Sequence, residues 1–274
     1  MDPQIDLETA FSSLGILGKT VIAHASLRSL GHFPGGAEAL AYALKRSFST
    51  VMMPAFSYDS IVLPPLNDRP ACNGCDYGDR DYWRLDSHKK FRIEDQSIIP
   101  AMGRTAQAFG SGEKTWRTPH PWHAWSVYGK AAEKIASSHA WDKPHEPIER
   151  CLELDAWVLL IGVDLTSCTA IHLAEEWAGR APFIRWCLDA EGTIRRIRVA
   201  GCAAGFMKLW PDCGDLFREA RAGSSRILAA PLAPLLCRAR DAIKNKPELT
   251  RCCPDCLRCR DAIFGGPEAP ARAA

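Results

Sequence analysis

The chain has 274 residues, 47% of them hydrophobic and 24% charged, with a formal net charge of +2. That composition is ordinary for a folded domain and excludes a disordered or fibrous chain; the near-balanced charge argues against a nucleic-acid binder. No apolar run approaches the roughly 18 residues of a membrane span, and the opening MDPQIDLETAFSSLG lacks a basic-then-apolar export signal, so a cytoplasmic protein with no membrane contact is expected.

Residues 6–17 have helical periodicity. Residues 20–27, TVIAHASL, read as a buried strand that breaks at GHFPGG (31–36). A helical pattern runs from 37 to 45, and 50–53 is the next strand, closed by Pro54. Strand, loop, helix and strand in that order predict a parallel βαβ unit. Residues 57–100 are rich in Pro, Asp, Asn, Gly and aromatics and show little periodicity; so long an irregular stretch is unusual unless functional or stapled. Helices are expected over 102–110 and 131–138, and a strand over 124–127. Residues 157–163 form the strongest strand pattern, and 172–178 a helix. Residues 183–188 and 193–199 flank the turn DAEG as a hairpin, which carries the one dense arginine patch (Arg195, Arg196, Arg198), read as a solvated face. Helices are expected over 215–222 and 234–244, with 265–274 a disordered tail.

Chemistry concentrates after the 157–163 strand. Small polar residues lead into a helix with His172 in its first turn, and Glu175 and Glu176 lie three and four residues on, on the same helical face. Strand, polar loop and base-bearing helix is how open α/β proteins build a site, and a histidine beside a carboxylate is a ready proton acceptor. On an ordinary surface the same pair is merely a solvated contact. Gly35 and Gly36 precede a helix start, where backbone N–H groups favour anions; Ser26, Arg28 and Ser29 add donors. A simple turn explains the glycines equally. RTPHP (117–121) holds a histidine between two prolines, suited to a ligand contact or to a packing corner. The acidic set Asp59, Asp76, Asp79, Asp81, Glu94 and Asp95 would draw a polycation, or form a solvated loop.

Together these motifs resemble one family: HASLRSLGHFPGG (24–36), MPAFS (53–57), RTPHP (117–121) and LLIGVDLTSCTAIHLAEEWAG (159–179) are similar to segments of the aminoglycoside 3-N-acetyltransferases, in order and approximate spacing. The resemblance implies an α/β fold with a central mixed sheet, flanking helices and a small C-terminal β-hairpin/helical part, with 1–264 a single acetyltransferase domain. It implies acetyl-coenzyme A as acyl donor and an aminoglycoside antibiotic as acceptor, and a resistance role. Ser26, Leu27, Arg28, Gly35 and Gly36, with Thr118 and His120, match its cofactor-contacting segments. His172 matches its general base and Glu175 the partner of that base, Ser57 or a backbone N–H near it is a candidate donor to the thioester oxygen, and Asp59 and Asp76 are expected on the acceptor side. A helix N-terminus would lower the imidazole pKa and a carboxylate raise it, leaving His172 poised near neutrality. Ala55 and Phe56 depart from the Thr and His frequent in relatives, which bears on the acceptor pocket.

Twelve cysteines remain. Cys151, Cys168, Cys187, Cys202, Cys213 and Cys237 stand singly and read as core packing. Cys72-Asn73-Gly74-Cys75 is a Cys-x2-Cys knuckle, and CPDCLRC (253–259) holds two more beside Cys252. Cys72, Cys75, Cys256 and Cys259 can supply four thiolates to one structural zinc, stapling 250–264 to the irregular segment; free thiols or a disulfide are the alternative. Three functions compete: aminoglycoside acetylation, a biosynthetic acyltransferase of the same fold acting on another amine, and a non-catalytic coenzyme A or metabolite binder. A monomer or homodimer is expected.

Overall fold

A computed structural model describes residues 3–83, 89–95, 97–137 and 139–268. Its strands are Thr20–Ala25 (β1), Thr50–Pro54 (β2), Ile61–Val62 (β3), Trp116–Arg117 (β4), Trp125–Gly129 (β5), Trp157–Ile161 (β6), Phe183–Leu188 (β7), Ile194–Val199 (β8), Arg218–Ala222 (β9) and Ser225–Pro231 (β10). The larger sheet runs β4-β5-β2-β1-β6-β10-β9, and the smaller runs β3-β7-β8. β1 pairs parallel with both β2 and β6, whereas β5, β10 and β9 are antiparallel to their neighbours. The sheet is therefore mixed, and the parallel βαβ unit forms as the sequence predicts.

Alternation along β1, β2 and β6 builds two cores, because successive side chains leave a strand on opposite faces. Ile22, Met52, Val158 and Leu160 pack with Ile171, Leu173, Leu235 and Leu236 from the helices Ile171–Trp177 and Leu232–Asn245. Val21, Val51, Leu159 and Ile161 pack on the other face with Leu7, Phe11, Leu40, Leu44 and Phe109 from the helices Pro3–Ser13, Gly36–Ser47 and Gly103–Gly110. A sheet buried on both faces explains why β6, WVLLI, reads as an unbroken apolar run.

Two expectations fail at the C-terminal end. Residues 218–222 form β9 rather than a helix, because Gly223, at φ +56°, turns the chain back into β10. β10 then buries Ile227, Leu228, Ala229 and Ala230 against β6, and that antiparallel pairing overrides the local helical pattern. The disordered tail expected from 265 does not begin there. Gly266–Glu268 is a 3-10 turn in which Glu268 pairs with Arg198, and 269–274 lie outside the described residues.

The described parts of the irregular segment, 57–83, 89–95 and 97–100, are held by packing. Trp83 and Trp186 lie 6.1 Å apart with Tyr77 stacked 5.9 Å from Trp83. The Asn73 side-chain amide accepts from Ile184 N–H at 2.8 Å and donates to Ile184 O at 2.9 Å, adding a pseudo-strand to β7. The hairpin expected over 183–199 forms as β7 and β8, with Trp186 at the centre of a third apolar cluster.

Candidate active site

β1, β2 and β6 end side by side, and the loops leaving them open a cleft of about 840 Å³. Ligand sites in open α/β sheets form at such a place, where chains depart to opposite sides. Ser26 N–H donates to Ile161 O at 2.9 Å, joining the loops that follow β1 and β6. Gly162 has φ +62°, and a Cβ there would fall 1.6 Å from Ser29 Oγ, so only glycine lets these loops meet. Asp164 then starts the next turn, its Oδ1 accepting from Thr166 N–H at 2.8 Å. That turn delivers Thr166, Ser167 and Thr169 to the cleft and leads into the helix carrying His172.

His172 lines the cleft at 6% exposure. Its Nδ1 lies 2.6 Å from Glu175 Oε2, and Glu175 Oε1 is paired with Arg180. Burial pushes the Glu175 carboxyl up, but the hydrogen bond and charge of His172, together with Arg180, outweigh it and hold the carboxyl below its ordinary range. An ionised carboxylate only accepts, so Nδ1 carries a ring proton, and Nε2 is the nitrogen Glu175 leaves unengaged. Nε2 has no hydrogen-bond partner among the described residues and is not one of the sealed ring nitrogens. The geometry is that of an oriented imidazole, with one nitrogen fixed by a carboxylate.

Glu176 does not share this pair. It binds His145 Nδ1 at 2.7 Å, and the His145 ring stacks 6.2 Å from His172 at an interplanar angle of 15°. Burial lowers the His145 pKa against the opposing pull of Glu176, so a neutral ring stacks beside His172. Nothing in the sequence flags His145, which sits 31 residues from its partner.

Ser26, Leu27 and Arg28 line the cleft as expected, joined by His24, Gly31, Met102 and Arg104. Gly35 and Gly36 do not. Gly35, at φ +76°, caps the helix Gly36–Ser47 and would collide with Ala39 Cβ at 2.8 Å, so the turn explains it. The next residues, Ala37 and Glu38, line a neighbouring groove of about 470 Å³ that Arg104 also borders.

Five residues expected at the site lie off the cleft wall. Thr118 is 1% exposed, its Oγ1 accepting from Trp125 N–H at 2.8 Å and bonded to His139 Nδ1 at 2.9 Å. His120 is fully buried, its Nδ1 accepting from the amides of Trp122 and His123 at 3.1 and 3.0 Å, and burial pushes its pKa down to about 3. Both shape the interior turn that brings Trp122 and His123 to the cleft, and neither lines it. Ser57 is fully buried off the cleft wall: its N–H donates to Trp122 O at 3.2 Å and its Oγ accepts from Asp59 N–H at 3.4 Å. Its neighbours Phe56 and Tyr58 point to the cleft instead. Asp59 binds Ser97 Oγ at 2.8 Å and Lys89 at 3.1 Å, and the exposed Asp76 caps its own turn at Gly78 N–H, 2.7 Å away. Neither carboxylate lines the cleft, and nothing is described of the Asp81 and Asp95 side chains. The opposite wall carries Tyr82, Arg185, Arg258, Ala200 and Gly201.

The expected metal set is corrected too. Cys72 and Cys75 are free and lie outside the one group of close potential ligands among the described residues, Cys202, Cys252, Cys256 and Cys259. The 72–75 turn does meet the C-terminal helix, through Gly74 N–H donating to Asp261 Oδ2 at 2.9 Å, and not through shared sulfur. Cys151, Cys168, Cys187 and Cys213 are buried as expected; Cys237 is exposed and Cys202 belongs to the cluster.

The mixed α/β sheet with a carboxylate-oriented histidine at a strand-end cleft defines an α/β protein with its candidate site where open sheets bind ligands. The model of the aminoglycoside 3-N-acetyltransferase family matches residues 22–244, and the chain belongs to that family. It is 29% identical over 166 residues to an SPbeta prophage-derived aminoglycoside N(3′)-acetyltransferase-like protein of Bacillus subtilis, a match covering 58% of each chain. It is 26% identical over 174 residues to aminoglycoside N(3)-acetyltransferase IX of Micromonospora chalcea, over 59% of this chain and 57% of the relative. The chain thus spans less than two thirds of these relatives. Its fold matches that of a mutant of aminoglycoside acetyltransferase AAC(3)-IVa in complex with a gentamicin, with TM-score 0.75, 22% identity and 96% of both chains covered.

Proposed function

We propose that the chain transfers an acetyl group from acetyl-coenzyme A to an amino group of an aminoglycoside, at the 3-N position, with His172 as general base. The observation that supports this most directly is the His172–Glu175–Arg180 arrangement at the cleft, in a chain of this family. A related fold, AAC-IIIb, is described as binary with CoASH, at TM-score 0.68 and 17% identity over 89% of this chain and 96% of that one. Ser26, Leu27, Arg28 and Arg104 offer donors and cations to a thioester arm and its phosphates. The amine, of α-amino type with a pKa near ~8, arrives largely protonated. The amine gives up one proton to solvent, its neutral nitrogen attacks the thioester carbonyl, His172 Nε2 takes the second N–H proton, made acidic as the N–C bond forms, and the C–S bond breaks to release the thiolate of coenzyme A. The imidazolium then returns a proton to that sulfur, so the products are the N-acetyl amine and free coenzyme A. Glu175 stabilises the imidazolium while it exists.

One observation favours a second reading, an acyltransferase of this fold acting on another amine. No Asp or Glu lines the cleft among the described residues, whereas Arg185 and Arg258 do. A polycation is repelled by that wall and an amine bearing a carboxylate or phosphate is held by it. Thiol release from acetyl-coenzyme A, measured with gentamicin, apramycin and a panel of amines bearing anionic groups, tests both. Turnover with the antibiotics supports the first, turnover only with anionic amines the second, and cofactor binding without thiol release leaves a non-catalytic binder. No described helix is long and apolar enough to cross a membrane, and use of acetyl-coenzyme A fits a cytoplasmic enzyme acting as monomer or homodimer.

A further inference from the structure

We infer that Cys202, Cys252, Cys256 and Cys259 bind one Zn²⁺ as a structural tetrathiolate site that fixes the far wall of the cleft. The four sulfurs all lie within 4.8 Å of one another. Cys202 Sγ is 3.8 Å from Cys252 Sγ, which is 3.6 Å from Cys259 Sγ. A tetrahedral zinc with Zn–S bonds of ~2.3 Å sets its sulfurs about 3.8 Å apart, whereas a disulfide needs ~2.05 Å. The two spacings of 3.8 and 3.6 Å match such an edge, and the remaining ones stay within 4.8 Å.

The scaffold fits a metal knuckle. Cys252, Cys256 and Cys259 come from one tight turn and the start of the helix Leu257–Phe264, with Cys256 at its N-cap. Cys252 N–H donates to Cys259 Sγ at 3.4 Å, and the Ala204 amide faces Cys202 in the same way. Amides turned toward sulfur favour thiolates and stabilise their charge on a metal. Four thiolates and Zn²⁺ carry a net double negative charge, and Arg251, Arg258 and Arg260 lie in the same segment. Cys253 is exposed, 3.9 Å from Cys252 Sγ, and stands outside the group of four. With all four positions taken by sulfur, the metal offers no site to substrate.

Its role follows from what the ligands flank. Ala200, Gly201 and Ala203, beside Cys202, line the cleft, as does Arg258 between Cys256 and Cys259. Just upstream, Thr250 Oγ1 and Pro247 O each accept from Arg180 at 2.6 Å, and Arg180 pairs with Glu175. One ion thus clamps the loop after β8 to the segment that holds Arg180, the partner of Glu175.

The test is elemental analysis of the full chain, purified without added metal or a metal-affinity step, beside thiol titration. The expected result is about one zinc per chain, released together with four newly reactive thiols on mercurial treatment. Cys202→Ser and Cys256→Ser lose the zinc, and the double variant Cys72→Ser, Cys75→Ser keeps it. Zinc below about one-tenth per chain, a disulfide among the four, iron in place of zinc, or full zinc in Cys202→Ser overturns the inference. Should a serine variant fail to fold, the stoichiometry of the unmutated chain and its masked thiols still decide the matter. Metal content is read without turnover, so its result stands apart from that of the amine panel.

Discussion

Glu175→Gln tests how the base is held, because the replacement keeps the shape and changes one charge. Glu175 uses one oxygen for His172 Nδ1 and the other for Arg180. An amide has only one oxygen, and Arg180, a permanent donor, takes it. The NH₂ then faces Nδ1, which must accept, so the ring proton moves to Nε2 and the lone pair no longer opens to the cleft. The base is lost rather than weakened, and its whole contribution goes: kcat falls on the order of 10²–10⁴-fold, or about 3–5 kcal/mol of barrier. KM for acetyl-coenzyme A changes little, since Glu175 does not line the cleft. Steady-state thiol release reads both constants, and circular dichroism checks the fold. Adding Arg180→Met frees the amide oxygen to turn toward Nδ1 and restores part of kcat. A Glu175→Gln enzyme within about threefold of normal kcat would refute the tautomer argument, as would equal losses in the single and double variants.

Stability should fall with acid in a defined window. Burial lowers His24 to about 4 and His120 to about 3 from an ordinary 6.5. A group depressed on folding contributes its full stability above its unfolded pKa and loses it as pH falls toward the folded value. From pH 7.5 to 5 each should therefore cost about 2 kcal/mol, measured as a fall in urea midpoint; no loss across that range means these rings are not held neutral. Leu160→Ala, at a position with no exposure within β6, should cost about 2–5 kcal/mol in urea unfolding, and a cost below about 1 kcal/mol would contradict a two-faced core. Asp59→Asn should leave KM for the acceptor within about twofold, because its carboxylate is committed to Ser97 and Lys89; a tenfold rise would return it to the acceptor side.

What can be read from the residues is what depends on short-range order. His172 and Glu175 lie three apart on a helix that follows an apolar strand, so helical geometry alone joins them. The buried run of β6 and the βαβ unit are legible for the same reason. His145 and Glu176 are not, because two long segments must fold before they meet. A histidine between prolines looks alike whether it faces a ligand or the interior, and only the hydrogen bonds of His120 decide for the interior. Cys202 stands among small apolar residues and reads as packing; its partners lie some fifty residues on, across a loop crossing that no spacing encodes. β9 reads as helix because alternating Arg, Glu and Ala satisfy a helical pattern until β10 supplies a partner.

The most direct measurement is pre-steady-state thiol release from acetyl-coenzyme A by His172→Ala with a saturating, turned-over amine. The base role predicts a rate of the chemical step lower by about 10²–10⁴-fold, with cofactor binding intact and partial recovery as pH rises and the amine deprotonates unaided. A chemical step at the normal rate, or one with the unaltered pH profile, would contradict it.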